Sequence, residues 1–441
     1  MPKDPSTRAF MARVDALFGA VGNDRAARDD ALLVGLGDAA LMVARLREGA
    51  GFGPVAVAVS GGSDSMAALH ALHETMPVIA VTVDHGLRPE AAEEAHFVAQ
   101  AAARLGIGHE ILRWQRSETH GNLMDQARRA RQALIADWAR GRGIRHVVLG
   151  HTADDEAESF VMRLARSSGL SGLSGMRKTW VAEGVHWYRP FLRLSRAQLR
   201  GYLQRRGIGW IEDPSNEDSR FERVRVRQAL ALLEPLGVTR AVIAQVVENL
   251  GEAEETLRHV LRAEVGSVVL EDRGDLVLDL GTGLDRLQGE LMRMFLDAAL
   301  RWVSRQDYGP RAEKLIDLWH DLPELRQRTL HGCLISRRGD SLRITREAKA
   351  VAGLRVPLGQ VWDRWALEGP AEPGLEIAAL GAGGLVQVKD WRESGLPRAS
   401  LFASPAVWRG EALIAAPLAG LENGWKARID RGAFAASLIR R

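Results

Sequence analysis

The 441-residue chain has a single cysteine, Cys333, so it holds no internal disulfide, no Cys-x-x-Cys redox pair and no four-cysteine zinc or iron–sulfur site. Lysine is also scarce. It occurs only at Lys3, Lys178, Lys314, Lys349, Lys389 and Lys426, so nearly all the positive charge is arginine. No run of about 18 apolar residues is present, so no membrane-spanning segment is expected. The opening stretch MPKDPSTRAFMARVDALF scatters charges where a secretory leader needs an apolar block. A cytoplasmic, reducing-compartment protein with no membrane association is therefore expected. Net charge is only +3, from 59 basic and 56 acidic side chains. Guanidinium forks bind phosphates well, but only where they cluster.

What is present reads as ordinary globular protein: 46% hydrophobic and 26% charged residues, in a length that suits about two to four domains. Residues 54–60 (PVAVAVS) form a valine-rich run expected of a strand buried on both faces. Helical spacing follows over 64–74, a strand over 78–83, a helix over 90–105, a strand over 109–114, a helix over 122–142, a strand over 146–150 and a helix over 153–166. That alternation predicts βαβ units, an α/β fold with a doubly wound parallel sheet. Ligands of such sheets sit beyond the carboxyl ends of strands at the topological switch point. Past Gly169 the pattern loosens through SSGLSGLSGM to a short strand near His186–Tyr188. A helix from Ser195 to Arg206 carries Gln198 at the capping-box position. Residues 238–320 read as mostly helical, and short strands between Gly and Pro turns follow from about Thr329. The expected divisions are a helical extension over 1–50, the α/β domain over 51–225, a helical domain over 226–325 and a β-rich module over 326–441.

Chemistry-bearing clusters fall at the strand ends. Ser60-Gly61-Gly62-Ser63-Asp64-Ser65 links a buried strand to a helix: two glycines allow a tight turn, serines add donors, and the helix dipole favours an anion. Asp64 would repel a phosphate unless it helps to hold Mg²⁺ against one. The same residues also suit a plain N-capped turn. Asp84 and His85 end the second strand, where they can face a ribose, an adenine or a metal, or simply form a polar structural turn. After the fourth strand come His151, Asp154, Asp155, Glu156 and Glu158, with Asp155 and Glu158 on one helix face. Asp154 and Glu156 equally suit simple dipole complements. Arg128 and Arg131 lie one helical turn apart, a spacing that grips a carboxylate or phosphate, or is merely solvated. A basic strip runs from Arg189 to Arg227, through Arg193, Arg196, Arg200, Arg205, Arg206, Arg220, Arg223 and Arg225. It suits a phosphate-rich partner or a solvated surface.

In this order the clusters resemble the N-type ATP pyrophosphatase (PP-loop) family, whose loop reads S-G-G-x-D-S, and within it the tRNA(Ile)-lysidine synthetases. The matching stretches include VAVSGGSDSMAALHAL, VDHGLRPEAAEEAHFV, QARRARQALIADWA, LGHTADDEAESFVMRLARSSGLSGLSGM, RPFLRLSRAQLRGYL and WIEDPSNEDSRFERVRVR, over about 55–230. Two departures stand out. Val224 occupies the usual Asn of an R-N-x-[IL]-R pattern, and Gln132 stands where an aromatic is usual.

The resemblance implies an adenine-nucleotide alpha hydrolase-like fold and a ligase that uses ATP and Mg²⁺. Its partners would be L-lysine and a tRNA(Ile) with a CAU anticodon, and the enzyme would be a monomer or homodimer. It implies ATP binding by Ser60, Gly61, Gly62, Ser63, Asp64, Ser65, Asp84 and His85, with Asp64 on the metal. Catalysis would fall to Asp64, His151, Asp155 and Glu158, lysine binding to Arg131, Asp155 and Glu158, and tRNA contacts to Arg128, Arg205, Arg223, Arg225 and Arg227. A tRNA thiolase of the same superfamily typically needs several cysteines, and an amidotransferase-type synthetase needs a glutaminase segment or an ammonia source. Neither feature is visible here. A non-catalytic RNA-binding protein is opposed by the intact loop and the Asp155–Glu158 pair.

Overall fold

The computed structural model describes residues 42–46, 48–49, 53–86, 91–114, 123–212, 220, 222–306 and 308–438. Expectations that fall on most of 1–50, on 87–90, on 115–122 and on 213–219 lie outside these. The chain divides into two compact units, Met1–Glu252 and Ala253–Arg440. The expected divisions at 225/226 and 325/326 do not coincide with this boundary.

The first unit alternates strands and helices: β1 (Val55–Ala58), α1 (Ser63–His73), β2 (Val78–Asp84), α2 (Ala91–Arg104), β3 (His109–Arg113), α3 (Leu123–Gly141), β4 (His146–Leu149) and α4 (Ala153–Leu164). A short helix α5 (Leu170–Leu173), a hairpin of β5 (Thr179–Ala182) and β6 (Val185–Tyr188), and helices α6 (Arg196–Arg205) and α7 (Glu222–Leu233) follow. Strand order is β3-β2-β1-β4-β6-β5, parallel except for β5. The chain winds outward from β1 to β3, then returns to the other side of β1. The switch point therefore lies between β1 and β4, and the segments leaving those two strands must meet there.

Burial explains why β1 is so apolar. Val55 and Val57 pack with Met66, Leu69, Phe191 and Leu199 on one face, while Ala56 packs with Ile135, Ala139, Val147 and Trp187 on the other. Period-2 alternation thus feeds two cores, one on each side of the sheet. Helix α6 begins at a capping box, in which the Gln198 N–H donates to Ser195 Oγ (3.2 Å) and the Ser195 N–H donates to Gln198 Oε1 (2.6 Å).

The 29-residue helix α8 (Arg240–Val268) crosses the unit boundary. In the second unit, strands β7 (Val269–Asp272) and β8 (Asp275–Asp279) interrupt the segment expected to be helical. They pair because β11 (Ser341–Arg346) lies beside β8 in a five-stranded antiparallel sheet that also holds β9 (Gln327–Leu330) and β10 (Cys333–Arg338). That pairing is set by a segment some 65 residues away, which no local pattern reveals. Helices Glu290–Ser304 and Ala312–Asp321 pack on this sheet through Phe295, Leu300, Leu315 and Leu318. A further four-stranded and a two-stranded antiparallel sheet complete the unit, so its β-rich end is as expected. Among the described residues, no single helix is long and apolar enough to cross a membrane.

Candidate active site

The chain leaves β1 into the glycine loop. Gly61 has φ +89°, a region that favours glycine, and a Cβ there would come 2.9 Å from Ile211 Cδ1. The loop is braced from within: the Ser60 N–H donates to Ser65 Oγ (3.1 Å), and the Ser65 hydroxyl donates to the Gly62 carbonyl (3.0 Å). Helix α1 then starts from Gly62 with no side chain capping it. An N-capped turn would have spent a serine or aspartate oxygen on the first N–H groups. Here no side chain takes that place, which suits an anion at the helix start.

The second component leaves β4. A Cβ on Gly150 would lie 2.8 Å from the Asp64 carbonyl oxygen, so only glycine lets the end of β4 come this close to the start of α1. Thr152 caps α4, and Asp155 closes the capping box by accepting the Thr152 N–H (2.9 Å) and hydroxyl (3.1 Å) at Oδ2. Its acidic neighbours do more than complement a dipole. Asp154 accepts the N–H of Arg196 (2.7 Å) and pairs with Arg240 (3.1 Å), and Glu156 accepts the N–H of Met176 (2.8 Å).

These contacts bring Arg196 to the middle of the site. Its guanidinium lies 2.9 Å from Asp64, 3.6 Å from Asp155 and 3.9 Å from Glu158. From α7, Arg223 approaches Asp155 (3.6 Å) and Glu158 (3.8 Å), and Arg227 pairs with Glu158 (2.5 Å). Glu158 is 1% exposed. Three carboxylates from two strand ends thus converge on Arg196.

The site's electrostatics follow from this crowding. Burial raises the Asp64 carboxyl, with Arg196 opposing. Burial also works against ionisation of Asp155, yet His151 beside it, the Thr152 N–H, Arg196 and Arg223 together hold it below the usual carboxylate range. Burial and then the charge of Arg189 push the His151 imidazole down to about 3, and Asp155 opposes them.

A PP-loop domain matches residues 40–233. A tRNA(Ile)-lysidine synthase of Ruegeria pomeroyi is 45% identical over 399 residues, which span 87% of this chain and 93% of that protein. The chain belongs to the tRNA(Ile)-lysidine synthase family. A further synthase of this name, from Wolbachia sp. subsp. Brugia malayi, is 33% identical over 69% of this chain and 73% of its own length. Another, from Methylobacterium nodulans, is 37% identical over 68% of this chain and 92% of its own length.

As a member of the tRNA(Ile)-lysidine synthase family, the chain places its other expected residues as follows. The Gly86 N–H donates to Asp84 Oδ1 (2.8 Å), and His85 meets Trp114 edge-on at 5.8 Å, at the end of β2. Burial and then Arg131 lower the His85 imidazole, which puts Arg131 within electrostatic reach of it. Arg131 is itself exposed, and together with Arg128 it lies within electrostatic reach of His151. Arg128, Arg205 and Arg225 are exposed. Arg223 and Arg227 instead turn to the site carboxylates, because positions four apart share a face of α7 while Arg225 falls on another. Val224 is buried, 6% exposed.

Magnesium was expected at Asp64. Among the described residues no three His, Cys, Asp or Glu side chains converge as metal ligands. Asp64 Oδ1 already accepts the Ser63 hydroxyl (3.1 Å), and Oδ2 accepts Arg196 Nε (2.9 Å). The donor set does not fit a resident ion.

Two side chains were misplaced by the sequence reading. Arg189 and Arg196 belong to the strip expected to face a phosphate-rich partner or solvent, yet both turn inward, to His151 and to the three carboxylates. The signal was their position on either side of PFLRLS, directly after a strand and at a helix start.

Proposed function

We propose that this chain ligates L-lysine to C2 of the wobble cytidine of tRNA(Ile) with a CAU anticodon, forming lysidine at the expense of ATP. What supports the reading most is the 45% identity with a tRNA(Ile)-lysidine synthase along 93% of that relative's length. The convergence of the loop, Asp155 and Glu158 supports the division of roles.

In the first half-reaction the cytidine O2 attacks the α-phosphorus of ATP and pyrophosphate leaves. The uncapped start of α1 and the loop Ser60–Ser65 receive the triphosphate, with Asp84 and His85 at the neighbouring strand end toward the nucleoside. Oriented donors at a departing diphosphate lower the barrier electrostatically. In the second, the ε-amine of lysine attacks C2 and AMP leaves with the former base oxygen. Free lysine is an ammonium at neutral pH, with a pKa near ~10.4. Asp155, held ionised, attracts that ammonium; one proton leaves to solvent to free the amine lone pair, and Asp155 takes a second as the C2–N bond forms and the nitrogen becomes strongly acidic. Glu158 helps to position the amine, and Arg131 suits the α-carboxylate. Arg128, Arg205 and Arg225 supply phosphate contacts to the tRNA, and Arg223 and Arg227 add to the attraction while they stay paired with Asp155 and Glu158. ATP enters as a substrate, and magnesium enters with its phosphates.

The test is incubation with ATP, radiolabelled lysine and tRNA transcripts. Label is expected in tRNA(Ile) with CAU and not in elongator tRNA(Met), which shares the anticodon. No label, or equal label in both, overturns the reading. Asp155→Asn is expected to abolish lysine transfer while tRNA binding persists, and normal turnover in that variant removes Asp155 from its role.

A further inference from the structure

Arg189 directly follows β6 and is 6% exposed. Its backbone N–H donates to the Lys178 carbonyl (2.8 Å), and Nη1 donates to the Arg177 carbonyl (2.8 Å). The guanidinium carbon sits 4.2 Å over the Trp180 ring, which stacks on Trp187 at 5.8 Å. Held on these sides, it donates Nε–H to Nδ1 of His151 at 3.2 Å.

A guanidinium has donors only and does not lose its proton in proteins. The ring nitrogen it meets must therefore present a lone pair, and the hydrogen of His151 must reside on Nε2. An imidazolium would set N–H against N–H. We propose that Arg189 is a positioning residue for base adenylation: it fixes His151 as the neutral Nε2–H tautomer, so that the ring serves as a hydrogen-bond donor to a substrate oxygen gaining negative charge and takes no part in proton transfer. The role in adenylation deepens the lysidine-forming reading and rests on it. The tautomer itself does not depend on that reading.

The groups facing the ring agree. Arg189, Arg131 and Arg128 oppose a second proton, Asp155 favours one, and burial adds to the opposition. Without a donor at Nδ1 the neutral ring can carry its hydrogen there and turn the Nε2 lone pair toward the substrate; Arg189 excludes that form.

The experiment uses the full chain with ¹⁵N-labelled histidine. The His151 signals, assigned by their loss in His151→Asn, are followed by long-range ¹H–¹⁵N correlation from pH 5.5 to 8.5. The expected result is an unprotonated Nδ1 and a protonated Nε2 at every pH. An Nδ1–H form, or titration within that range, overturns the proposal, and this readout needs neither a variant nor activity. In parallel, Arg189→Leu is expected to lower kcat for lysine incorporation about 10²-fold with little change in the KM for ATP. It is also expected to make kcat rise toward acid pH, because the imidazolium that then forms again carries an Nε2–H, while Arg189→Lys, still a donor, removes that dependence. An Arg189→Leu enzyme with a flat profile and normal kcat overturns the positioning role. A native chain that makes no lysidine yet shows the fixed tautomer overturns the functional reading alone.

Discussion

The two units use the same chemistry, arginine against carboxylate, in opposite ways. In the first, one guanidinium is shared among three acids: Arg196 reaches Asp64 at 2.9 Å but Asp155 and Glu158 only at 3.6 and 3.9 Å. In the second, Arg343 gives one nitrogen to Asp272 and one to Asp275, both at 2.8 Å, and the Ser400 hydroxyl completes Asp275 at 2.5 Å. Arg346 likewise donates to Asp363 at 3.1 and 3.2 Å. Short, fully partnered pairs resist exchange. A guanidinium divided among several acids is easier to trade for an ammonium or a phosphate. The first arrangement marks a site and the second a scaffold.

The comparison breaks most sharply at its two arginines. Arg196→Met is expected to lower lysine incorporation by about 10²- to 10³-fold with a nearly unchanged melting temperature. Normal turnover would make Arg196 scaffold too. Arg343→Met should do the reverse, costing about 3 kcal/mol in urea unfolding because it removes the cation paired with the buried Asp275, with ATP affinity at the loop unchanged. A loss of ATP affinity there would void the distinction.

Acid offers a milder test. Burial, then His73 and Arg206, lowers His70 to about 4. Its unfolded form takes a proton near ~6.5, so the stability it contributes is present above that pH and declines as pH falls toward 4. His70→Asn is expected to flatten the slope of urea stability between pH 6.5 and 4. Asp272, held low mainly by Arg343 and Arg273 against burial, should give up its share only below about pH 3.9. An unchanged slope in His70→Asn would discard that assignment.

The smallest effect concerns the exposed arginines. Replacing Arg128, Arg205 or Arg225 by Ala should weaken tRNA binding evenly across tRNAs and reduce the salt slope by about one each. Arg223→Ala should change that slope less, because its charge is spent on Asp155 and Glu158. Equal slopes for all four would mean that tRNA displaces those acids.

Legibility in the sequence tracked how local each cause was. The alternating valines of β1, the Ser195 capping box and the i,i+3 pairing of Asp155 with Glu158 are short-range facts, and each stands where the spacing put it. The β7–β8 hairpin was read as helix because its partner, β11, lies far along the chain. The inward turn of Arg189 and Arg196 was missed because arginines are equally suited to water and to a buried acid, and only the fold supplies the acid.

By itself the sequence determined the wound sheet and the loop at its edge, because burial periodicity and a glycine turn are properties of neighbouring residues. It also carried the family, because the motif set is written along the chain. Only the tertiary structure decided which cation answers which carboxylate and which nitrogen of His151 holds the hydrogen. Those choices depend on distances of a few ångströms between segments that meet only where β1 and β4 end side by side.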